Sequence, residues 1–480
     1  MSPYISLAVL VLYFCIILII AKFTARGSKT ATFFNADHSS PWYLVAFGTI
    51  GATISGVTFV SVPGEVGTTA WHYLQFIIGN FLGYWIIAFV LIPLYYRLKL
   101  ISIYDYLRQR FGETTHRTGA VFFLISQMAG ASFRLFLVIG VLQILVFDAL
   151  NVPFIGTAML VILMIWFYIR RAGIKTVVWT DTLQTICIVV AAVMTVYAII
   201  KIANFQSITE LTEAIVSHPT FDIWDTDFRS PTFAVKQILA GIGIVIVMNG
   251  LDQNMMQKSL TCPSKTEAQK NICSFSFAFI IANILFLALG TSLYIFAKRV
   301  GMQIPSSTDD LFPLIVTNYM PTFIEIIFLL GIVAASFSSA DSSLTALTTV
   351  WCIDILRLDA DNPETVYRRN RIIMAMATAM FAIVCLFHVI NDRSIVSAIF
   401  TVAGYTYGPL LGLFAYGILT KRTLNDKLTP YICVAAPILS YLFSHFIQFI
   451  FNGYRMGFEL LLLNASIVFV AVYLTGKNKT

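Results

Sequence analysis

The densest run of ion-binding groups in this sequence is Ala335-Ser336-Phe337-Ser338-Ser339-Ala340-Asp341-Ser342-Ser343-Leu344-Thr345, set inside an otherwise apolar stretch. At about 100° per residue, a helix puts Ala335, Ser338, Ser339 and Ser342 on one face. Hydroxyl and carbonyl oxygens suit a small, hard monovalent cation, and Asp341 supplies compensating charge. The plainer alternative is a set of hydroxyls returning bonds to their own i−4 carbonyls. An acid in so apolar a setting weighs against that alternative.

Four other places carry polar groups where the surroundings are apolar. Gly51-Ala52-Thr53-Ile54-Ser55-Gly56-Val57-Thr58 combines two glycines with three hydroxyls, which reads either as a break in a helix or as close packing by small residues. Met248-Asn249-Gly250-Leu251-Asp252-Gln253 interrupts a later apolar run in the same manner. Broken helices are tolerated in lipid only where the freed backbone lines a protein cavity, and carriers use them to bind ions and solutes. Thr176 to Gln184 holds Asp181 about a turn into its apolar run, where it either caps the basic loop before it or ligates a cation. Arg134, inside Gly130-Ala131-Ser132-Phe133-Arg134, needs an acid, water or a substrate anion.

The elements that must position these groups follow from composition. Of 480 residues, 58% are hydrophobic and 11% charged, against about 25% charged in ordinary soluble domains. A bilayer-spanning helix needs about 20 apolar residues, and by that ruler about thirteen spans are expected. They cover 4–22, 41–68, 72–96, 118–149, 152–170, 176–201, 232–257, 271–297, 321–356, 372–390, 395–420, 429–450 and 456–475. The first stretch has no Lys or Arg before its apolar run, so it reads as a membrane helix rather than a signal peptide. Most of the 31 basic residues fall in alternate loops, which predicts a plasma-membrane (cell inner membrane) protein with its N-terminus outside and C-terminus cytoplasmic. That placement also accounts for the net charge of +7 without a nucleic-acid partner. The seven Cys lack metal or disulfide spacing, and no GxxxxGK[ST] loop supports ATP-driven transport.

Together these segments resemble the sodium/solute symporter family, which includes sodium/glucose, sodium/proline and bacterial sialic acid transporters. The likeness rests on GATISGVTFVSVPG from 51, TVVWTDTLQ from 176, LDQNMMQKSL from 251, DLFPLIVTNYMP from 310, AASFSSADSSLTALTTVWCID from 334 and GYTYGPLLGLF from 404. It implies an all-α membrane protein with LeuT-like inverted five-helix repeats, about 41–201 and 232–420. One extra N-terminal helix and two extra C-terminal helices complete the single transporter domain. By resemblance, a principal sodium site falls on Gly51, Ile54, Ala335, Ser338 and Ser339. A second falls on Asp181, Ser338, Ser339, Asp341 and Ser342, although the sialic acid members have Ser where Asp341 stands. Solute contacts map to Thr53, Ser55, Thr58 and Asn80, with Asp252-Gln253 similar to the sodium/glucose members. The arginine that holds the substrate carboxylate in sialic acid members aligns with Gly130, and Arg134 lies one turn further along.

The expected activity is sodium-coupled import of a small organic solute, a sugar or sugar acid such as sialic acid, by alternating access through the lipid bilayer. A proton-coupled carrier is the nearest rival, motivated by Asp181 and Asp341. A channel, or a membrane-embedded enzyme built on Ser338, Asp341 and His388, stands further off because neither a continuous pore nor a catalytic motif is legible.

Overall fold

The computed structural model describes residues 3–54, 56–170, 173–228, 230, 232–360, 362, 364–390, 395–450 and 459–476. Long apolar runs satisfy their own backbone groups in lipid only by coiling, and helices lie over the expected stretches. They are α1 (Pro3–Thr24), α2 (Trp42–Thr53), α3 (Gly56–Thr69), α4 (Tyr73–Ile86), α5 (Glu113–Leu142), α6 (Phe154–Ile169), α7 (Ile174–Ile202) and α8 (Ala234–Val245). Then follow α9 (Gln253–Ser259), α10 (Lys265–Val300), α11 (Thr322–Val350), α12 (Thr365–Ile390), α13 (Ile395–Leu419), α14 (Thr429–Ile450) and α15 (Glu459–Thr475). Among the described residues, eight helices are long and apolar enough to cross a bilayer when Thr58–Arg97 is taken as one, and nine when a bent pair is added. Large apolar side chains such as Leu12, Phe89, Leu163 and Phe446 are exposed on the outside of the bundle, as a lipid-facing surface requires.

Two apolar stretches are broken where glycine and polar residues interrupt them. α2 stops at Thr53, Ile54 takes φ −79° and ψ 85°, and α3 resumes at Gly56. α8 widens into a π turn over Ile246–Gly250 and meets α9 at 71°. A third discontinuity falls at Ala70, whose left-handed φ of 52° separates α3 from α4.

α11 is the axis of the molecule. Every residue from Gly331 to Val350 is buried, so this helix has no lipid-facing side over that length. α7, α5, α12, α2 and α1 pack around it. The hydroxyl-rich face can exist there only because neighbouring helices, not lipid, surround it.

Several helices begin earlier than apolar length suggests: α5 at Glu113, α10 at Lys265 and α12 at Thr365. Their first turns carry charged residues, which a ruler of apolar length does not register. α10 carries its own start signal, the Ser264 hydroxyl accepting from the Glu267 amide at 3.3 Å. Short helices at Ile208–Val216 and Leu311–Tyr319 occupy segments expected to be loops.

Candidate cation and solute site

α2, α7 and α11 meet at the broken end of α2. The Gly51 amide donates to Thr185 Oγ1 at 3.0 Å, and the Ser338 hydroxyl donates to Asp181 Oδ1 at 2.5 Å. Asp181 and Thr185 stand one turn apart on α7, roughly 6 Å along its axis, and the Thr185 hydroxyl lies 2.8 Å from Asp181 O. The end of α2 and the hydroxyl face of α11 therefore reach adjoining turns of one helix. Only glycine permits the approach, because a Cβ at position 51 would lie 2.5 Å from Thr185 Oγ1. The last ladder bond of α2 among the described residues runs from Ile54 N to Ile50 O at 2.8 Å. Gly51, Ile54, Ala335, Ser338 and Ser339 are all buried, on two helices that pack together. The chemistry available there is oxygen ligation of a small cation by backbone carbonyls and hydroxyls.

The groups expected around a second cation are engaged differently. Asp341 Oδ2 accepts from Tyr168 at 2.7 Å, and Oδ1 accepts from the Ser342 amide at 2.5 Å and its hydroxyl at 3.3 Å. Asp181 Oδ2 faces Lys258 Nζ at 2.7 Å, and each of these two side chains is 1% exposed. Sequence spacing puts Lys258 just past a span, as a loop cation. The bend between α8 and α9 instead turns it back into the protein. The legible signal is Leu260 and Cys262, apolar residues continuing beyond the lysine; both are buried. A lysine so deeply buried is tolerated only when paired.

At the second break, Tyr95 and Tyr104 donate to the carbonyls of Gly250 at 2.8 Å and Leu251 at 3.0 Å. Asp252 caps α9, accepting from the Asn254 amide at 2.8 Å, and also accepts from Tyr407 at 2.6 Å. Tyr407 lies 3.4 Å from Gln127 Oε1, and Gln127 Nε2 donates to Ser343 at 2.9 Å. Gln253 accepts from the Ile103 amide at 2.9 Å and donates to Ile101 O at 3.0 Å. Both side chains of the Asp252-Gln253 pair thus have protein partners, ones that sequence spacing does not reveal.

Of the remaining expected solute contacts, Thr53 bonds back to Thr49 O at 2.8 Å within its own helix. Ser55 lies outside the described residues, and Thr58 is half-buried on α3, which packs against α5. Asn80 is buried on α4, and its side-chain oxygen has no hydrogen-bond partner among the described residues. Arg134, half-buried on α5, donates through Nε to Ser339 Oγ at 2.9 Å. Among the described residues no carboxylate lies within ion-pair distance of it. Its guanidinium folds back along α5: a Cβ at Gly130 would lie 3.6 Å from its terminal nitrogen.

The model of the Sodium:solute symporter family matches residues 33–427. The chain belongs to that family. It is a multi-pass membrane transporter rather than an enzyme, and its coupling ion is sodium. Among its relatives is the sodium/sialic acid symporter SiaT of Proteus mirabilis, 25% identical over 87% of this chain and 85% of that protein. The sodium/sialic acid symporter NanT of Aliivibrio fischeri is 24% identical over 92% of this chain and 88% of that protein. The sodium/glucose cotransporter of Vibrio parahaemolyticus is 23% identical over 74% and 69%. In fold, this member of the family is similar to a Na+-coupled sialic acid symporter in a substrate-bound, outward-open state, with a TM-score of 0.83 at 20% identity over 99% of both chains. It also resembles MHP1, a nucleobase-cation-symport-1 family transporter in a closed conformation, at a TM-score of 0.58 and 13% identity over 92% and 93% of the chains.

Proposed function

We propose that this chain is a secondary active symporter that couples sodium entry to uptake of a small organic acid, with a sugar acid such as sialic acid as the leading candidate. The observation that carries the reading is the arrival of Gly51 and Ser338 on neighbouring turns of α7. A sodium ion held by Gly51 and Ile54 on one side and by Ala335, Ser338 and Ser339 on the other would fasten the broken second span to α11. Ser339 is also the residue to which Arg134 donates, so the cation site and the cationic side chain share one hydroxyl.

Arg134 favours an acidic solute. Among the described residues it has a hydroxyl partner and no carboxylate at ion-pair distance, and a guanidinium matches a carboxylate in two-point geometry. Thr53, Ser55, Thr58 and Asn80 would supply the neutral contacts. The protein occupies the plasma membrane in thirteen crossings, N-terminus outside and C-terminus cytoplasmic. Repeats 41–201 and 232–420 rock against each other around the two breaks, with 4–22, 429–450 and 456–475 added.

Sodium and solute each favour the other's binding, by a coupling of about 1–3 kcal/mol that acts equally in both directions. One sodium crossing about 100 mV gains roughly 2.3 kcal/mol, and a tenfold gradient adds about 1.4, enough for several-hundred-fold accumulation of a neutral solute. For a solute of charge −1 the voltage part cancels, and the sodium and solute gradients set the limit.

A thermal-shift screen of the purified chain against sugars, sugar acids, amino acids and vitamins, in sodium and in choline, tests the proposal. An acidic sugar should raise the melting temperature markedly more in sodium. Equal stabilisation in both salts would remove the coupling.

A further inference from the structure

Asp181, Asp341 and Lys258 form a buried charge cluster between α7, α9 and α11, with each group at most 1% exposed. With both carboxylates ionised, the single ammonium leaves the cluster one positive charge short. A second sodium would draw on the carboxylates of Asp181 and Asp341, and both of these already hold partners. Asp181 Oδ2 carries the Lys258 ammonium at 2.7 Å, and its Oδ1 accepts from Ser338 at 2.5 Å. Both oxygens of Asp341 accept from Tyr168 and Ser342 at 2.7 and 2.5 Å. An ammonium and a sodium cannot share the same carboxylate in so dry a setting, because two like charges a few ångströms apart repel strongly at low dielectric.

We propose that Lys258 is a tethered cation standing where a second sodium would sit, so that this chain binds one sodium per cycle. The inference rests on the sodium-coupled reading and narrows it. With both carboxylates ionised, one sodium at the principal site, which borders the cluster through Ser338, supplies the missing charge. Removing the lysine leaves two carboxylates and one sodium, which opens room and demand for another cation. Lys258 acts through Asp181 and is a positioning residue, not a solute contact.

The test counts 22Na+ bound at saturation to the purified full-length chain, together with the steepness of its stabilisation by sodium chloride against choline chloride. Wild type should bind one sodium with a Hill coefficient of about one. Lys258→Gln should bind two, with a Hill coefficient rising above one, and Lys258→Arg should keep the count at one. Lys258→Ala with added methylammonium gives an independent route, since the free amine should return the count from two to one. Two sodium ions on wild type would overturn the inference while leaving sodium-coupled symport in place. A folded Lys258→Gln that still bound one would overturn it as well, as would two on Lys258→Ala whatever the amine present. A wild-type count of zero would remove the symport reading and the inference with it.

Discussion

Gly51 and Thr185 are joined by a 3.0 Å hydrogen bond across a helix contact too close for a methyl group. Gly51→Ala would set a Cβ 2.5 Å from the threonine hydroxyl and 3.1 Å from its backbone nitrogen, so the backbones must separate. Overpacking of this kind costs about 1–3 kcal/mol. The variant should melt several degrees lower in detergent, and its sodium half-saturation should rise about tenfold or more as the carbonyls at 51 to 54 are displaced. Native sodium affinity in Gly51→Ala would mean that the end of α2 does not ligate the ion.

Ser338 and Ser339 are expected to separate cation binding from solute binding. Ser338→Ala deletes a proposed cation ligand and the donor to Asp181, and a lost bond to a charged group is worth about 1.5–3 kcal/mol. Sodium half-saturation should therefore rise by about tenfold to a hundredfold. Ser339→Ala should weaken sodium dependence while the protein remains inserted, and should also loosen Arg134. Titrating sodium against intrinsic fluorescence or melting temperature reads both effects; an unchanged Ser339→Ala half-saturation would reject the site assignment.

Arg134→Gln should distinguish an acidic solute from a neutral one. Removing one partner of a desolvated charge pair costs about 2–5 kcal/mol, so affinity for an acidic sugar should fall at least about thirtyfold. Affinity for its methyl ester or amide should change little. Equal loss for acid and ester would show that Arg134 shapes the pocket without touching a carboxylate.

Much of this architecture is written in local sequence, and the remainder is not, for identifiable reasons. The breaks at 51–58 and 248–253 are legible because glycine and polar residues interrupt runs that lipid would otherwise keep helical. The hydroxyl face of α11 follows from helical spacing alone. Partners are another matter. Thr185 as acceptor for the Gly51 amide, Tyr407 as donor to Asp252, and the backbone of 101–103 as the mate of Gln253 are all distant in sequence, so no local pattern announces them. Lys258 escapes for a different reason: a lysine at the end of an apolar run looks like a topological loop charge until the bend after Leu251 folds it inward. The second-cation residues Asp181, Asp341 and Ser342 are brought close to one another, but with a lysine among them that composition does not place there.

Outside the membrane, Asp426 caps α5 from the loop after α13. It accepts from the Thr115 amide at 2.7 Å, the Thr114 amide at 3.1 Å and the Thr115 hydroxyl at 2.6 Å. Partial burial opposes ionisation, yet these bonds outweigh it and hold the carboxyl below its ordinary range. A depressed carboxyl contributes stability that is fully present above the unfolded value of about 3.9 and is lost as pH falls through the lower folded value. Asp426→Asn should cost about 1 kcal/mol at pH 7 and should flatten the fall in melting temperature below about pH 4. Parallel acid limbs in wild type and variant would contradict this role.

Uptake into proteoliposomes, with external sodium replaced by choline at constant pH and with the leading acidic solute as probe, tests the central claim most directly. Symport through the Gly51–Ser338 junction predicts that uptake collapses to the level of empty vesicles and returns when sodium is restored. Undiminished uptake in choline, driven instead by an imposed proton gradient, would contradict it.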